Sequence, residues 1–240
     1  MSGEDVMPRW LRKATGLGSE LGRHEVRMEQ TVVRTWPARV FTTRSGRVCR
    51  ACNTGWMSRL EGRTIPILTP IIQGTSSAVL SAEQQATITL WALKTAMCIQ
   101  LVESGTWLPI PQMHFQQIYS GGEDGPPLPG CHAWLGRYLP TIAHSRHSTQ
   151  PLEIQVNGQA LAGRFQPYVA TLAAGHVAIQ TLVVDEASVG FALNYPAGPS
   201  RARAMIEIWP TKGELAWAPE LAIPDAALTE IALFRTLPKP

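Results

Sequence analysis

Residues 81–103 read SAEQQATITLWALKTAMCIQLVE, and the fold turns on how this stretch is buried. Ser81 followed three residues later by Gln84 is a capping box, and Ser104-Gly105 supplies a stop, so the spacing predicts a helix over 81–103. From Ile88 to Val102 apolar side chains run nearly all round it, the pattern of a helix covered on every side. Thr89, Lys94, Thr95 and Gln100 interrupt the run, so it falls short of a membrane span. Lys94 needs a reason of its own, because an ammonium group taken out of water is destabilising unless a carboxylate meets it. Glu61, Glu4 and Asp5 are the candidate partners.

What covers the helix is found downstream. Leu152 to Val156 and Gln159 to Phe165 flank Asn157-Gly158, a type I′ hairpin signal, and Tyr168 to Ala173 and Val177 to Val184 flank Gly175-His176. Val189 to Leu193 and Arg203 to Trp209 add two strands. Pro111 to Tyr119 reads as a helix, Gly121 to Gly130 as a loop, and Asp225 to Leu237 as a closing helix. The expected class is α+β, a buried central helix on an antiparallel sheet.

Upstream, Pro8 to Ala14 is a short helix stopped by Gly16. Val26 to Trp36 and Ala38 to Thr43 read as two strands, with Arg44-Ser45-Gly46 as a turn into Val48. Cys49 to Cys52 is a tight knuckle. Asn53 is of the right type to cap the helix that carries Trp56, Met57 and Leu60 and ends near Gly62, and a proline-punctuated run from Ile65 to Ile72 follows. The chain thus divides into residues 1–75 and 76–240, expected to pack as one unit.

Charge divides it the same way. Only 16% of the 240 residues are charged, against about a quarter in an average domain. Residues 1–63 hold twelve Lys and Arg, eleven of them Arg, against six Asp and Glu, a net of +6; the remainder holds nine against twelve, a net of −3. A surface so poor in charge behind residue 63 is expected to be covered in part by a second chain, in a homodimer or with a dedicated partner. The N-terminus has no apolar signal core, so a cytoplasmic protein is expected, in which four cysteines stay reduced.

Two segments carry the chemistry: Glu4-Asp5-Val6-Met7-Pro8-Arg9-Trp10-Leu11 and, some forty residues later, Cys49-Arg50-Ala51-Cys52-Asn53-Thr54-Gly55-Trp56-Met57-Ser58-Arg59-Leu60-Glu61. Together they resemble a group of HNH-endonuclease-like proteins, mostly actinobacterial, whose pattern is acid-His-hydrophobic-x-Pro-x-Trp-Leu followed by Cys-x-x-Cys-Asn-x-Gly-Trp-Met-x-x-Leu-Glu. The resemblance extends into Trp91 to Ala96 and more loosely beyond. It implies a ββα-metal front in which the acid, Glu4, would bind a divalent metal.

The departures from that pattern are as informative. Asp5 stands where the resemblance places the general-base His, and a carboxylate of ordinary pKa is a weak base at neutral pH unless desolvation raises it. The middle Asn is missing, since no Asn precedes Asn53. Relatives carry a second Cys-x-x-Cys upstream, which this chain lacks. Cys49 and Cys52 therefore make half a zinc site, to be completed only through Cys98, Cys131 or His24. The alternative is a vestigial knuckle held by packing.

The remaining candidates each have a structural reading beside the functional one. Asn53 is a ligand or a cap. Trp10, Trp36, Trp56 and Trp91 are core or stacking platforms, and Lys94 belongs to a structural ion pair or takes part in catalysis. The histidines show no convincing ligand spacing. Arg9, Arg47, Arg50 and Arg59 lie within or beside the two segments, and guanidinium forks bind phosphate or sulfate oxygens.

The expectation is therefore a descendant of the HNH scaffold that binds an anionic sulfate or phosphate ester. Asp5, Glu4 and Lys94 would perform metal-independent acid–base elimination or cyclisation of the kind used in secondary metabolism, with Arg9, Arg47, Arg50, Asn53 and Arg59 on the substrate. No cofactor is then needed. The alternative is a metal-dependent endonuclease with Mg²⁺ and structural zinc, or a catalytically dead nucleic-acid binder. No membrane association is expected.

Overall fold

The computed structural model describes residues 2–5, 7–16, 21–28, 31–39, 44–75, 77–102, 109–140, 145–152, 155–156, 159–160, 163–185 and 203–232. The N-terminal part runs β1 (Ser2–Asp5), α1 (Arg9–Thr15), β2 (Leu21–Met28), β3 (Thr31–Arg39), β4 (Arg44–Val48), α2 (Arg50–Cys52), a wide turn over Asn53–Met57, and α3 (Ser58–Ile72). Then come β5 (Ala78–Leu80), the central helix α4 (Ala82–Gln100) and α5 (Gln112–Gly121). The remaining strands are β6 (Cys131–Leu139), β7 (Ser145–Pro151), β8 (Gln155–Val156), β9 (Gln159–Ala160), β10 (Tyr168–Ala174), β11 (Val177–Val183), β12 (Met205–Trp209), β13 (Leu215–Trp217) and β14 (Ala222–Pro224). Helix α6 (Asp225–Ala232) follows.

The capping box at Ser81 is made in full. Gln84 N–H donates to Ser81 Oγ at 3.2 Å and Ser81 N–H donates to Gln84 Oε1 at 2.9 Å, which satisfies two donors of the first turn. Every residue from Thr87 to Gln100 is buried. One side of α4 packs on α3 and the other on β10, β11 and β12. Leu11, Leu60 and Ile72 of the front join Ile88, Trp91 and Leu172 in a single apolar cluster, so the front and rear of the chain share a core.

The main sheet runs β12-β6-β11-β10-β7, antiparallel throughout. The departure from the expected sheet is β14, which pairs with β6 in parallel, Ala222 opposite Arg137. Along β6, β10 and β11 alternate residues face opposite ways: Leu135, Leu172 and Ile179 toward α4, and Trp134, Ala173 and Leu182 toward α6. A sheet covered on both faces presents little surface that needs charge, and the low charge of the rear region follows from this in part. Gln180 donates from Nε2 to Thr171 Oγ1 at 2.9 Å and to Ile231 O at 2.7 Å, fastening α6 to the sheet.

Several boundaries differ from the sequence reading. The first hairpin is β2 with β3, breaking near residue 29 rather than at Pro37, which sits inside β3 opposite Arg23. Arg44-Ser45-Gly46, read as a turn into Val48, belongs to the strand β4. Asn53 does not cap a helix: Cys49 is the N-cap and Asn53 already has helical angles, φ −61° and ψ −49°. Helix α3 does not end near Gly62 but runs through Pro66 and Pro70 to Ile72. Both prolines lie on the exposed side, where the carbonyls that lose an N–H partner can meet water, while Leu68, Ile71 and Ile72 are buried. Asn157-Gly158 and Val189 to Leu193 lie outside the described residues, as does Glu103 at the end of the predicted helix.

The β10–β11 turn docks on the end of α3. His176 N–H donates to Ile72 O at 3.0 Å, and Gly175 takes φ +53°. A Cβ at Gly175 would lie 2.6 Å from Ile72 O, so glycine is required both by the angle and by the close approach. No helix among the described residues is long and apolar enough to cross a membrane.

Candidate active site

β1 and β4 pair antiparallel, with Glu4 opposite Ser45 and Asp5 opposite Arg44. This places Asp5 at the last position of β1, immediately before the turn into α1. Arg9, one helical turn on, brings Nε to 2.5 Å from Asp5 Oδ2; the Asp5 side chain is 16% exposed and that of Arg9 63%. The aspartate is thus a partly covered, ion-paired carboxylate rather than one sealed in an apolar pocket. The side chain of Glu4 lies outside the described residues.

After β4 the chain turns through the knuckle. Cys49 and Cys52 are joined to one another in a disulfide, a correction to the expectation of reduced thiols. Asn53 N–H donates to Cys49 O at 3.0 Å, continuing the helical turn. A kink at Gly55 (φ −98°, ψ −117°) then redirects the chain. Beyond it Trp56 packs toward the core, and Arg59, Glu61 and Arg63 follow on α3. Arg47 and Arg50 are exposed beside the knuckle. Asp5, Arg47, Asn53 and Lys94 all have further interactions within the chain.

The buried lysine finds its partner on α3. Lys94 Nζ lies 2.6 Å from Glu61 Oε1, with the lysine side chain 2% exposed and the glutamate 21%. Beside it, Trp91 of α4 and Trp10 of α1 approach at 5.7 Å between ring centroids. The indole N–H groups of Trp10, Trp56 and Trp91 and the hydroxyl of Thr95 are buried without a hydrogen-bond partner. Five side-chain atoms are in this condition among the described residues; the fifth, on Thr181, belongs to β11. Orphaned polar groups cost about 1–3 kcal/mol each; Trp10 and Trp91 adjoin, Thr95 lies one turn beyond Trp91 on α4, and Trp56 precedes α3. The sequence had offered these tryptophans as core or as stacking platforms. They are core, but their polar edges are unmatched. An apolar cavity of about 10 Å³ between Met7, Leu11, Trp91 and the sheet residue Leu172 is too small and too dry for a ligand.

Two arginines of the front are held by acids from elsewhere in the chain. Arg59 donates from Nε to Glu123 Oε1 and from Nη2 to Glu123 Oε2 at 3.1 Å, a two-pronged pair. The hydrogen bonds from Arg59 hold the Glu123 carboxyl below the usual carboxylate range and raise the guanidinium pKa in turn. Arg63 reaches Asp124 at 2.7 Å and Glu83 at 3.1 Å. The sequence signal that could have revealed this is Glu123-Asp124, an acidic step in an otherwise apolar and glycine-rich loop. The positive charge counted at the front is therefore partly neutralised by the rear.

A second polar cluster, missed by sequence reasoning, lies at the α5 end of the sheet. His114 is 2% exposed, with Nδ1 2.8 Å from the Tyr168 hydroxyl and the Phe165 ring edge-on at 4.5 Å. Burial, with help from the Arg164 charge and against that of Asp185, lowers the His114 pKa to about 4. Burial also drives the Tyr168 hydroxyl and the Cys131 thiol well above their ordinary values. Asp185, itself buried, accepts from Arg164 Nη2 at 2.9 Å and from its backbone N–H at 2.5 Å. On the other face Tyr138 donates to Asp225 at the start of α6, and Arg146 stands 3.5 Å from the same carboxylate. Scattered histidines with no ligand spacing gave no hint of these partners.

A resident metal fits these residues poorly. Asp5 is committed to Arg9, disulfide-bonded sulfurs are not thiolate ligands, and no three His, Cys, Asp or Glu side chains converge among the described residues. Comparison of the chain with family models, with curated proteins and with solved structures finds no match.

Proposed function

We propose that the junction of β1, α1, α3 and α4 binds an anionic small molecule, a sulfate or phosphate ester, and moves a proton on it. The observation that carries this reading is the set of buried polar atoms without hydrogen-bond partners on Trp10, Trp56, Trp91 and Thr95; Trp10 and Trp91 adjoin, Trp91, Lys94 and Thr95 share one turn of α4, and admitting a ligand requires the closed junction to open. Ester oxygens are acceptors of the right kind and charge. Asp5 takes a proton from carbon, the C–H electron pair forms the new C=C bond, the ester oxygen departs with the C–O pair, and Lys94 with Glu61 fixes the charge of the site. Arg9, Arg47 and Arg50, all exposed, are the arginines assigned to the ester, whereas Arg59 is paired with Glu123. The scaffold is that of an HNH-like nuclease whose general-base His and middle Asn have been replaced. A second subunit completes the assembly, as the charge-poor rear suggests.

The test is calorimetric titration of the whole chain, free of added metal, with pyrophosphate, phenyl phosphate and phenyl sulfate. Binding that weakens in Thr95→Val, which replaces the hydroxyl by a methyl, and in Trp91→Phe, which removes the indole N–H with part of the ring, while both variants keep the far-UV circular dichroism of the parent, supports the reading. An absence of heat with all three ligands removes it. Asp5→Asn should retain binding while losing turnover of the pathway substrate.

One observation favours a second reading. β1, with Glu4-Asp5, pairs with β4, and a helix starting beside Asn53 follows. Two paired strands followed by a helix are what a ββα-metal nuclease would need, although α1, β2 and β3 intervene between the two strands here. Mg²⁺-dependent nicking of DNA, abolished by Glu4→Ala, together with salt-sensitive DNA binding, would decide for it.

A further inference from the structure

The Cys49–Cys52 disulfide lies where β4 passes into α2, and its two sulfurs are not equivalent. Cys49 is exposed, whereas Cys52 is half-buried and packs against Val48, Met57 and Cys98. The Cys52 backbone N–H donates to Cys49 Sγ at 2.9 Å, so negative charge arriving on that sulfur meets a donor already aimed at it. The exposed cations of Arg47 and Arg50 flank it in sequence.

The bond does little for the fold. It closes a ring of sequence separation 3, where the chain-entropy gain of a disulfide is smallest. The same turn is held independently by Asn53 N–H to Cys49 O and by Thr54 Oγ1 to Arg50 O, both 3.0 Å. An exposed bond that the architecture does not need is better placed for reaction than for support.

We propose that Cys49–Cys52 is a thiol–disulfide exchange site whose partner is a protein dithiol. A partner thiolate attacks Cys49 Sγ; a new S–S bond forms, the Cys49–Cys52 bond breaks, and Cys52 leaves with the electron pair and takes a proton. The partner's second thiolate then attacks its own sulfur in the mixed disulfide, releasing Cys49 as a thiolate held by the Cys52 N–H. Two electrons pass to the pair, and the partner departs as a disulfide. In reverse, the oxidised pair is regenerated at the expense of a partner disulfide. Cys98 and Cys131, both buried and outside any disulfide, are not assigned a part in the exchange. This site shares Arg47 and Arg50 with the proposed ester-binding site, but the exchange chemistry does not rest on that reading.

The experiment equilibrates the whole chain with graded ratios of reduced to oxidised dithiothreitol, quenches with a thiol-alkylating reagent and counts labels by intact mass. Two labels, on Cys49 and Cys52, should appear together and reversibly. With glutathione disulfide, reduced Cys52→Ser should trap a mixed disulfide at Cys49 at least about tenfold faster than Cys49→Ser traps one at Cys52. A pair that stays reduced at every ratio overturns the proposal. So does retention of one zinc per chain that blocks labelling until a chelator is added, or equal trapping by the two variants. If a variant does not fold, the wild-type titration alone decides.

Discussion

Lys94 and Glu61, 33 residues apart in the chain, meet at 2.6 Å where α3 crosses α4. The lysine is all but sealed, so the glutamate supplies much of the charge compensation that burial requires. Glu61→Gln should destabilise the protein by on the order of 3 kcal/mol, because it leaves an ammonium in the core with less opposing charge. Lys94→Met combined with Glu61→Gln should recover most of that loss. Urea unfolding of the two single variants and the double variant checks the expectation, and a double variant no better than Glu61→Gln alone would contradict it.

His114 makes stability depend on acid. Its folded pKa is lowered to about 4, below the 6.5 of the exposed ring, so the unfolded chain binds more protons throughout that interval. Stability from this group is complete above pH 6.5 and drains away as pH falls from there toward 4, by on the order of 3 kcal/mol. His114→Gln should flatten the slope of unfolding free energy between pH 6.5 and 4, measured by urea titration at closely spaced pH values.

Gly175→Ala tests the docking of the β10–β11 turn on α3. The added methyl meets Ile72 O at 2.6 Å and Ile72 Cγ2 at 2.8 Å, and φ +53° is unfavourable for alanine. A loss of about 2 kcal/mol or more is expected. Gly46→Ala, whose Cβ would meet nothing within 4 Å, is the control and should change stability little. Thermal melts of the two variants separate these outcomes.

Gln180→Leu removes the two hydrogen bonds that tie β11 to Thr171 and to the end of α6. Leaving the buried Thr171 hydroxyl and Ile231 carbonyl with fewer partners should cost about 1–3 kcal/mol. Amide exchange over residues 225–232 should rise more than exchange in α4, which would place the weakened contact at α6.

The long elements with strong punctuation were legible in the sequence. Ser81 and Gln84 announced α4, Gly175-His176 announced the β10–β11 hairpin, and Pro8 with Gly16 bracketed α1. What failed was decided by tertiary contact. Arg44-Ser45-Gly46 reads as a turn until β1 pairs with it, and α3 survives two prolines because its other face is buried. β6 and β7 carry no hairpin signal of their own: one is buried on both faces, and the other is a polar edge. At the site, a carboxylate for Lys94 was foreseeable, and Glu61 was among three candidates. The sequence offered no means of pairing Arg59 with Glu123, because that contact spans 64 residues and depends on where the α5 loop lands.

β6 has an edge shared end to end by two strands of opposite direction, β12 along Ala133 to Gly136 and β14 along Arg137 to Leu139. During synthesis the Arg137–Leu139 part of that edge stays open until residue 224 has left the ribosome, although β6 itself is complete some 85 residues earlier. For that interval the nascent chain carries an unpaired, strongly apolar ribbon able to template a neighbour. Slowing translation over residues 140–224 should therefore lower soluble yield, whereas the finished protein no longer exposes that ribbon.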